Sequence, residues 1–242
     1  MPKTTSMAQM VEQDVHTTSA EPRAKLGDKV MTADGRVYRY AKAGGTALDA
    51  GKLVVAADEV ANHTNIVAGA DAAVGATEIT VTLGATAATV NQYAEGFVVI
   101  NDAAGEGIAY KIASHGAADG ATDLVIKLED PIQVALTEDT SEVSLVKNIY
   151  DSVVISAVDQ ADAVVGVPNV AVAADEYFWV QTGGVCAVLA DEAVAKGLAV
   201  TTGTGVAGAV EAVDAAAEPI IGYAIQALVD TEYRPVRLVL DL

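Results

Sequence analysis

Three histidines, one cysteine and a series of adjacent acidic pairs are the groups in this chain best suited to chemistry. His16, His63 and His115 stand far apart. None falls in the H-x-H or H-E-x-x-H spacing that sets two imidazoles on one metal ion. Cys186 lies in a run of strand formers rather than at a helix N-terminus, where its thiol would become acidic, so it reads as a small buried apolar residue. In the pairs Asp58-Glu59, Glu129-Asp130, Asp175-Glu176 and Asp191-Glu192, neighbouring side chains on a strand point to opposite faces, so no pair makes a carboxylate dyad by itself. No D-x-D-x-D-G spacing gathers them around a hard cation, and they read as solvated turn residues.

Residues 203–208, GTGVAG, fit G-x-G-x-x-G, follow the strand-like GLAVTT and have Asp230 downstream where a ribose-binding acid would sit. A dinucleotide fold needs further βα units, and only 34 residues follow Gly208. The would-be helix VAGAVEAVDAAAE contains Gly208 and three valines, so the segment reads as a turn between strands. Asn62-His63-Thr64 fits the glycosylation sequon, which says little without a secretory segment. No G-x-S-x-G and no P-loop is present. The expectation is a protein without catalytic residues, cofactor or metal.

A different kind of signal comes from residues 177–190, YFWVQTGGVCAVLA, which hold the only Trp, the only Cys and one of two Phe. With Gly183-Gly184 as a two-residue loop, this stretch predicts a hairpin with Thr182 opposite Val185, Val180 opposite Ala187 and Phe178 opposite Leu189. The other face would carry Tyr177, Trp179, Gln181, Cys186 and Val188. Both faces are largely apolar, so one is expected to meet the core and the other a second domain or subunit. Those five residues are the candidate subunit interface.

The elements around that stretch are strand-like. KVMTADGRVYRYA reads as a hairpin turning at Asp34-Gly35, and ALDAGKLVVAAD turns at Gly51 into a strand. ATEITVTLG, GFVVIND, GIAYKIAS and TDLVIKLEDPI follow, then GLAVTTG, PIIGYAIQALV and RPVRLVLDL near the end. From Val154 to Asp175 the sequence shows no clear period and reads as mostly irregular. Many short strands with regular turns predict an all-β fold, a sandwich or barrel-like body. Residues 1–27, broken by Pro2 and Pro22, read as an extended arm ordered on a partner or not at all. ALDAGKLVV around Gly51 echoes AVAKGLAV around Gly197. The echo suggests a discontinuous main domain, 28–65 with 155–242, and an inserted β domain at 66–154.

Composition narrows the function. A hydrophobic fraction of 52%, mostly Ala and Val, argues for a packed chain rather than a disordered one. No apolar run approaches the roughly 20 residues of a membrane span, and the N-terminus has no apolar stretch of the signal-peptide kind. A net charge of −19 disfavours direct nucleic-acid binding. Arg36 and Arg39 share one strand and Arg234 and Arg237 another, with no wider basic cluster. One cysteine excludes an internal disulfide framework and fits a reducing compartment.

GDKVMTADGRVYRYAKAGGTALDAGKLVVA, NQYAEGFVVINDAAGEGIAYKI, EYFWVQTGGVCAVLAD and the closing IIGYAI…RPVRLVLDL resemble virion structural proteins of tailed bacteriophages, the capsid decoration or cement proteins in particular. The resemblance runs from about Gly27 to the C-terminus. It implies a non-enzymatic β protein, often a trimer, that binds the major capsid protein on the outside of the head and reinforces the shell against DNA pressure. It places the chain on the virion surface after synthesis in the host cytoplasm. Under that reading the arm is the shell contact, with Val15, His16, Pro22 and Arg23 as candidate residues. The chain exceeds small cement proteins, so the middle region would be an addition. A tail or neck component belongs to the same class. The competing classes are a surface-displayed glycan-binding or adhesive domain, which needs Trp179 or Tyr38 exposed, and a hydrolase built on distant carboxylates.

Overall fold

The computed structural model describes residues 14–158 and 162–241, so residues 1–13 of the expected arm lie outside the described part. The chain is all-β, with essentially no helix among the described residues. It divides into two compact units, residues 1–57 with 149–242 and residues 58–148. The first unit begins with β1 (Lys29–Met31), β2 (Val37–Lys42) and β3 (Val54–Val55). The second unit contains β4 (Ile66–Val67), β5 (Glu78–Thr82), β6 (Phe97–Asp102), β7 (Ala109–His115), β8 (Asp123–Leu128) and β9 (Glu142–Val146). The chain then returns with β10 (Val154–Ile155), β11 (Val164–Pro168) and β12 (Tyr177–Leu189). It ends with β13 (Ala199–Thr202), β14 (Val210–Ala212), β15 (Gly222–Ala224) and β16 (Tyr233–Val239).

In the first unit the strands run β10-β3-β11-β12-β16-β15-β13-β14, with β2 also paired to β12 and β1 to β2, and the sheet curls into half a barrel. In the second the order is β4-β9-β6-β7-β8-β5, a nearly closed barrel-like sheet. Alternation selects the inner face: on β8, Leu124, Ile126 and Leu128 are buried while Asp123, Val125 and Lys127 are exposed. These residues join Ile100, Ile112 and Ile132 in the core of the second unit. The stretch around Val154–Asp175 is more regular than its sequence suggests. Val165 and Val167 of β11 lie in the core, because a strand buried on both faces shows no alternation.

One local device recurs through both units. A largely buried apolar residue is followed three positions later by a residue with positive φ, and the chain then runs on, in most cases straight into a strand. The pairs are Leu48 and Gly51, Ala72 and Gly75, Ala88 and Asn91, Ala118 and Ala121 in the first half of the chain. In the second half they are Leu136 and Asp139, Val172 and Asp175, Val194 and Gly197, Leu228 and Thr231. The apolar residues meet each other through backbone hydrogen bonds, Leu48 with Val172, Ala72 with Leu136, Ala88 with Ala118 and Val194 with Leu228. The positive-φ residue also donates its N–H to a carbonyl just upstream of the partner copy, Gly51 to Pro168 and Asp175 to Gly44 for example. The echo between Gly51 and Gly197 is thus two copies of a turn that the fold uses throughout, and each unit holds two of the interlocked pairs.

Candidate functional site

Residues 177–190 do not form a hairpin. β12 is one strand of 13 residues that passes straight through Gly183-Gly184. A type I′ turn needs positive φ at both central residues, and here only Gly184 has it (φ 80°). The two glycines instead let the strand change neighbours. Tyr177–Gly183 pairs with β2, and Gly183–Leu189 pairs with β16, with an irregularity at Gln181/Gly183. A side chain at Gly184 would stand 2.9 Å from the Cα of Arg36, too close for any Cβ. The Gln181 side chain fastens the crossing, donating from Nε2 to the carbonyls of Gly183 and Val185, each at 2.9 Å.

The candidate interface is therefore consumed by the chain itself. Trp179, Gln181, Cys186 and Val188 are almost wholly buried, and only Tyr177 keeps partial exposure. Trp179 packs edge-on against Tyr40 (ring centroids 5.0 Å apart), and Tyr177 stacks on the same ring at 5.9 Å. Continuity of β12 reverses the expected assignment of faces. Cys186 and Val188 enter a core cluster with Val236 and Leu238, whereas Trp179 joins Tyr38 and Tyr40 in another.

The arm supplies the cover over those aromatics. Val15, Ala24 and Leu26 pack against Tyr38, Tyr40 and Trp179. Ser19 bridges Tyr177, the Arg23 N–H donates to Tyr40 Oη at 2.9 Å, and the Gly27 N–H donates to the Tyr40 carbonyl at 2.8 Å. Residues 14–27 thus lie on their own sheet rather than waiting for a partner, while His16, Pro22 and Arg23 remain exposed along the outside. The reason is apolar: three large rings on one strand pair need a lid, and the arm provides the aliphatic side chains. With Trp179 and Tyr38 at 1% and 0% exposure, neither can serve as a glycan platform.

Behind Gln181 lies a surface cavity of about 450 Å³, lined by Asn169, Gln181, Cys186, Val185, Ala187 and Tyr233, with Arg36 and His16 among its remaining walls. Its polar back wall is satisfied. Asn169 donates from Nδ2 to Tyr38 Oη and to Gln181 Oε1, both at 2.9 Å, and accepts from the Cys186 thiol at 3.5 Å. Burial pushes the Cys186 thiol up to about 12, so it stays protonated and is a poor nucleophile. Burial likewise raises the Tyr38 phenol above its ordinary range, against the nearby Arg36 charge. These groups hold strands together and have no proton to give at neutral pH.

The other chemically suggestive residues are also committed. His63 donates from Nε2 to the Thr86 carbonyl at 2.8 Å and turns Nδ1 to Tyr93 Oη, and His115 donates from Nδ1 to the Gly116 carbonyl at 2.7 Å and accepts the Tyr93 N–H at 3.0 Å. The glycine-rich segment 203–208 links β13 to β14. There Gly205 donates its N–H to Asp191 at 2.6 Å and Thr204 its N–H to Glu211 at 2.9 Å. Two carboxylates thus occupy the place where a phosphate would need open amides. Among the described residues no group of three His, Cys, Asp or Glu gathers as metal ligands, and no helix is long and apolar enough to cross a membrane.

What sequence patterning missed is the outer face of β12, β16 and β15. Val185, Arg237 and Tyr223 stand directly opposite one another in one row across the three strands. Val185 is 52% exposed, Tyr233 50% and Tyr223 42%. The alternation of RPVRLVL was visible, but the hairpin reading sent Val185 inward. No family model, curated protein or solved structure matches the chain.

Proposed function

We propose that the chain is a non-enzymatic structural protein of a tailed-phage virion, which binds the major capsid protein on the outside of the head and stabilises the shell. The observation that carries this reading is the outer face of β12, β16 and β15, where large apolar side chains stand uncovered on regular strands. Such surfaces mark places where another macromolecule sits. The resemblance of the sequence to decoration proteins, often trimers on the head, supports reading that face as an assembly surface of the virion. The satisfied hydrogen bonds around Asn169, His63 and His115 support a scaffold rather than a reaction centre. Binding only to the assembled lattice stabilises it by mass action, and many copies on fixed positions multiply a modest affinity.

The test is to mix purified protein with mature heads that lack a decoration layer and measure occupancy after sedimentation. Saturable binding together with a higher temperature of head disruption is expected. Absence of binding to such heads overturns the reading.

A further inference from the structure

The exposed row on the first unit has neighbours that extend it. Ala187 pairs with Pro235 beside the row of Val185, Arg237 and Tyr223, and Tyr233 stands one step further along β16. All of them turn away from the core, and Val185 and Ala187 also line the 450 Å³ cavity, with Arg36 in the same wall. Arg36 is held by Asp34 at 2.9 Å. Arg237 is exposed, and among the described residues no salt bridge reaches it. An exposed apolar row next to a hollow, with arginines within it and beside it, asks for a partner that is apolar at its tip and acidic at its flanks.

The same unit carries such a shape. Between β14 and β15 the residues 214–220 read DAAAEPI. Glu218 accepts the N–H groups of Asp214 and Ala215 at 2.9 and 3.3 Å, which ties the segment into a tight, pre-shaped loop. Its three alanines are exposed, Ile220 is 47% exposed, and the Asp214 and Glu218 carboxylates flank them.

We propose that the 214–220 loop of one copy seats on the Val185, Tyr223 and Arg237 face of the next, with its alanines and Ile220 on the apolar row and its carboxylates toward Arg237 and Arg36. The inference rests on the assembly reading above and names the contact between copies. A chain of net charge −19 repels its own kind as a whole, so self-association must bring scarce cations against a local acidic loop, and this pairing does so. Because the two patches differ, the contact is head-to-tail, and repetition closes a ring or runs on as a filament.

Head-to-tail contacts have a distinctive test by light scattering. Wild type at tens of micromolar should be oligomeric and should dissociate as salt is raised. Arg237→Glu, which spoils only the face, and the double variant Asp214→Lys/Ile220→Lys, which spoils only the loop, should each be monomeric. An equimolar mixture of the two should form dimers and no larger species, since one intact face then meets one intact loop. Circular dichroism and Trp179 fluorescence verify folding, and Val185→Glu replaces Arg237→Glu should that variant unfold. A monomeric wild type, variants that keep the wild-type mass, or a mixture that stays monomeric each overturns the proposal. Head binding by a monomeric wild type would leave the proposed function standing while this contact fails.

Discussion

At the scale of single residues, the groups that suggest chemistry are those most tightly committed to structure. Cys186 is the clearest case: it lines a cavity yet is only 3% exposed, and its sulfur donates to Asn169. A thiol pushed up to about 12 carries almost no thiolate near neutrality. A thiol-reactive disulfide reagent at pH 8 should therefore leave the native protein unlabelled over hours and label one equivalent once urea unfolds it. Rapid labelling of the native protein would show an open, ionised thiol instead. This residue was legible beforehand, since a cysteine among strand formers is expected to be buried. No local signal pointed to Asn169, whose side chain ties Tyr38 to Gln181 across strands that are distant in the chain.

At the scale of elements, backbone conformation decides what sequence patterning could and could not read. Strand positions and turns were legible because alternation and Gly, Asn and Asp punctuation are local signals. Gly183-Gly184 was misread because a glycine pair serves equally a turn or a strand that changes partners, and only the tertiary neighbours choose. The recurring positive-φ turn was legible at two copies, Gly51 and Gly197; of the other six only Gly75 is a glycine, and Asn, Ala, Asp or Thr holds the same conformation at the rest. That gives two substitutions of opposite sign. Gly51→Ala puts a Cβ 2.7 Å from the Tyr233 ring at φ 76° and should lose about 1–3 kcal/mol. Ala121→Gly, at φ 57° on an exposed loop, relieves about 1–2 kcal/mol of left-handed strain against about 0.5–1 kcal/mol of added chain entropy. Urea titration should place its midpoint above wild type, and a lower midpoint would remove strain as the meaning of that turn. The arm belongs to the same scale. Removing residues 2–26 uncovers Tyr38, Tyr40 and Trp179 and should cost on the order of 2–4 kcal/mol, roughly 1–2 kcal/mol each from Val15 and Leu26, the larger of the three arm side chains on those rings. Unchanged thermal stability would mean that residues 14–26 do not act as the lid.

At the scale of the whole molecule, the two units carry separable reporters, and among the described residues only the second holds buried histidines. His63 and His115 flank Tyr93 in the second unit, with ring centroids 5.6 and 5.8 Å away, and all three are buried. The carbonyl partner of each imidazole fixes one ring nitrogen as a donor, and the Tyr93 N–H fixes Nε2 of His115 as an acceptor. A second proton on His115 would set its Nε2–H against the Tyr93 N–H, with no acceptor between them. Burial, with a push from His63 and against the pull of the Gly116 carbonyl, holds His115 below its ordinary value of 6.5. In the unfolded chain this histidine takes up its proton near 6.5 while in the folded chain it resists, so its contribution is intact above that pH and is lost as the pH falls below it. The only tryptophan, Trp179, lies in the first unit, whose core holds neither buried histidine. Acid titration under mild urea should therefore show a far-ultraviolet circular dichroism transition below pH 6.5, with Trp fluorescence changing at lower pH still. His115→Gln, which keeps an acceptor for the Tyr93 N–H without the titration, should move the first transition toward the second. Coincident transitions in wild type would mean that the units unfold as one body, and an unmoved transition in the variant would take His115 out of the account.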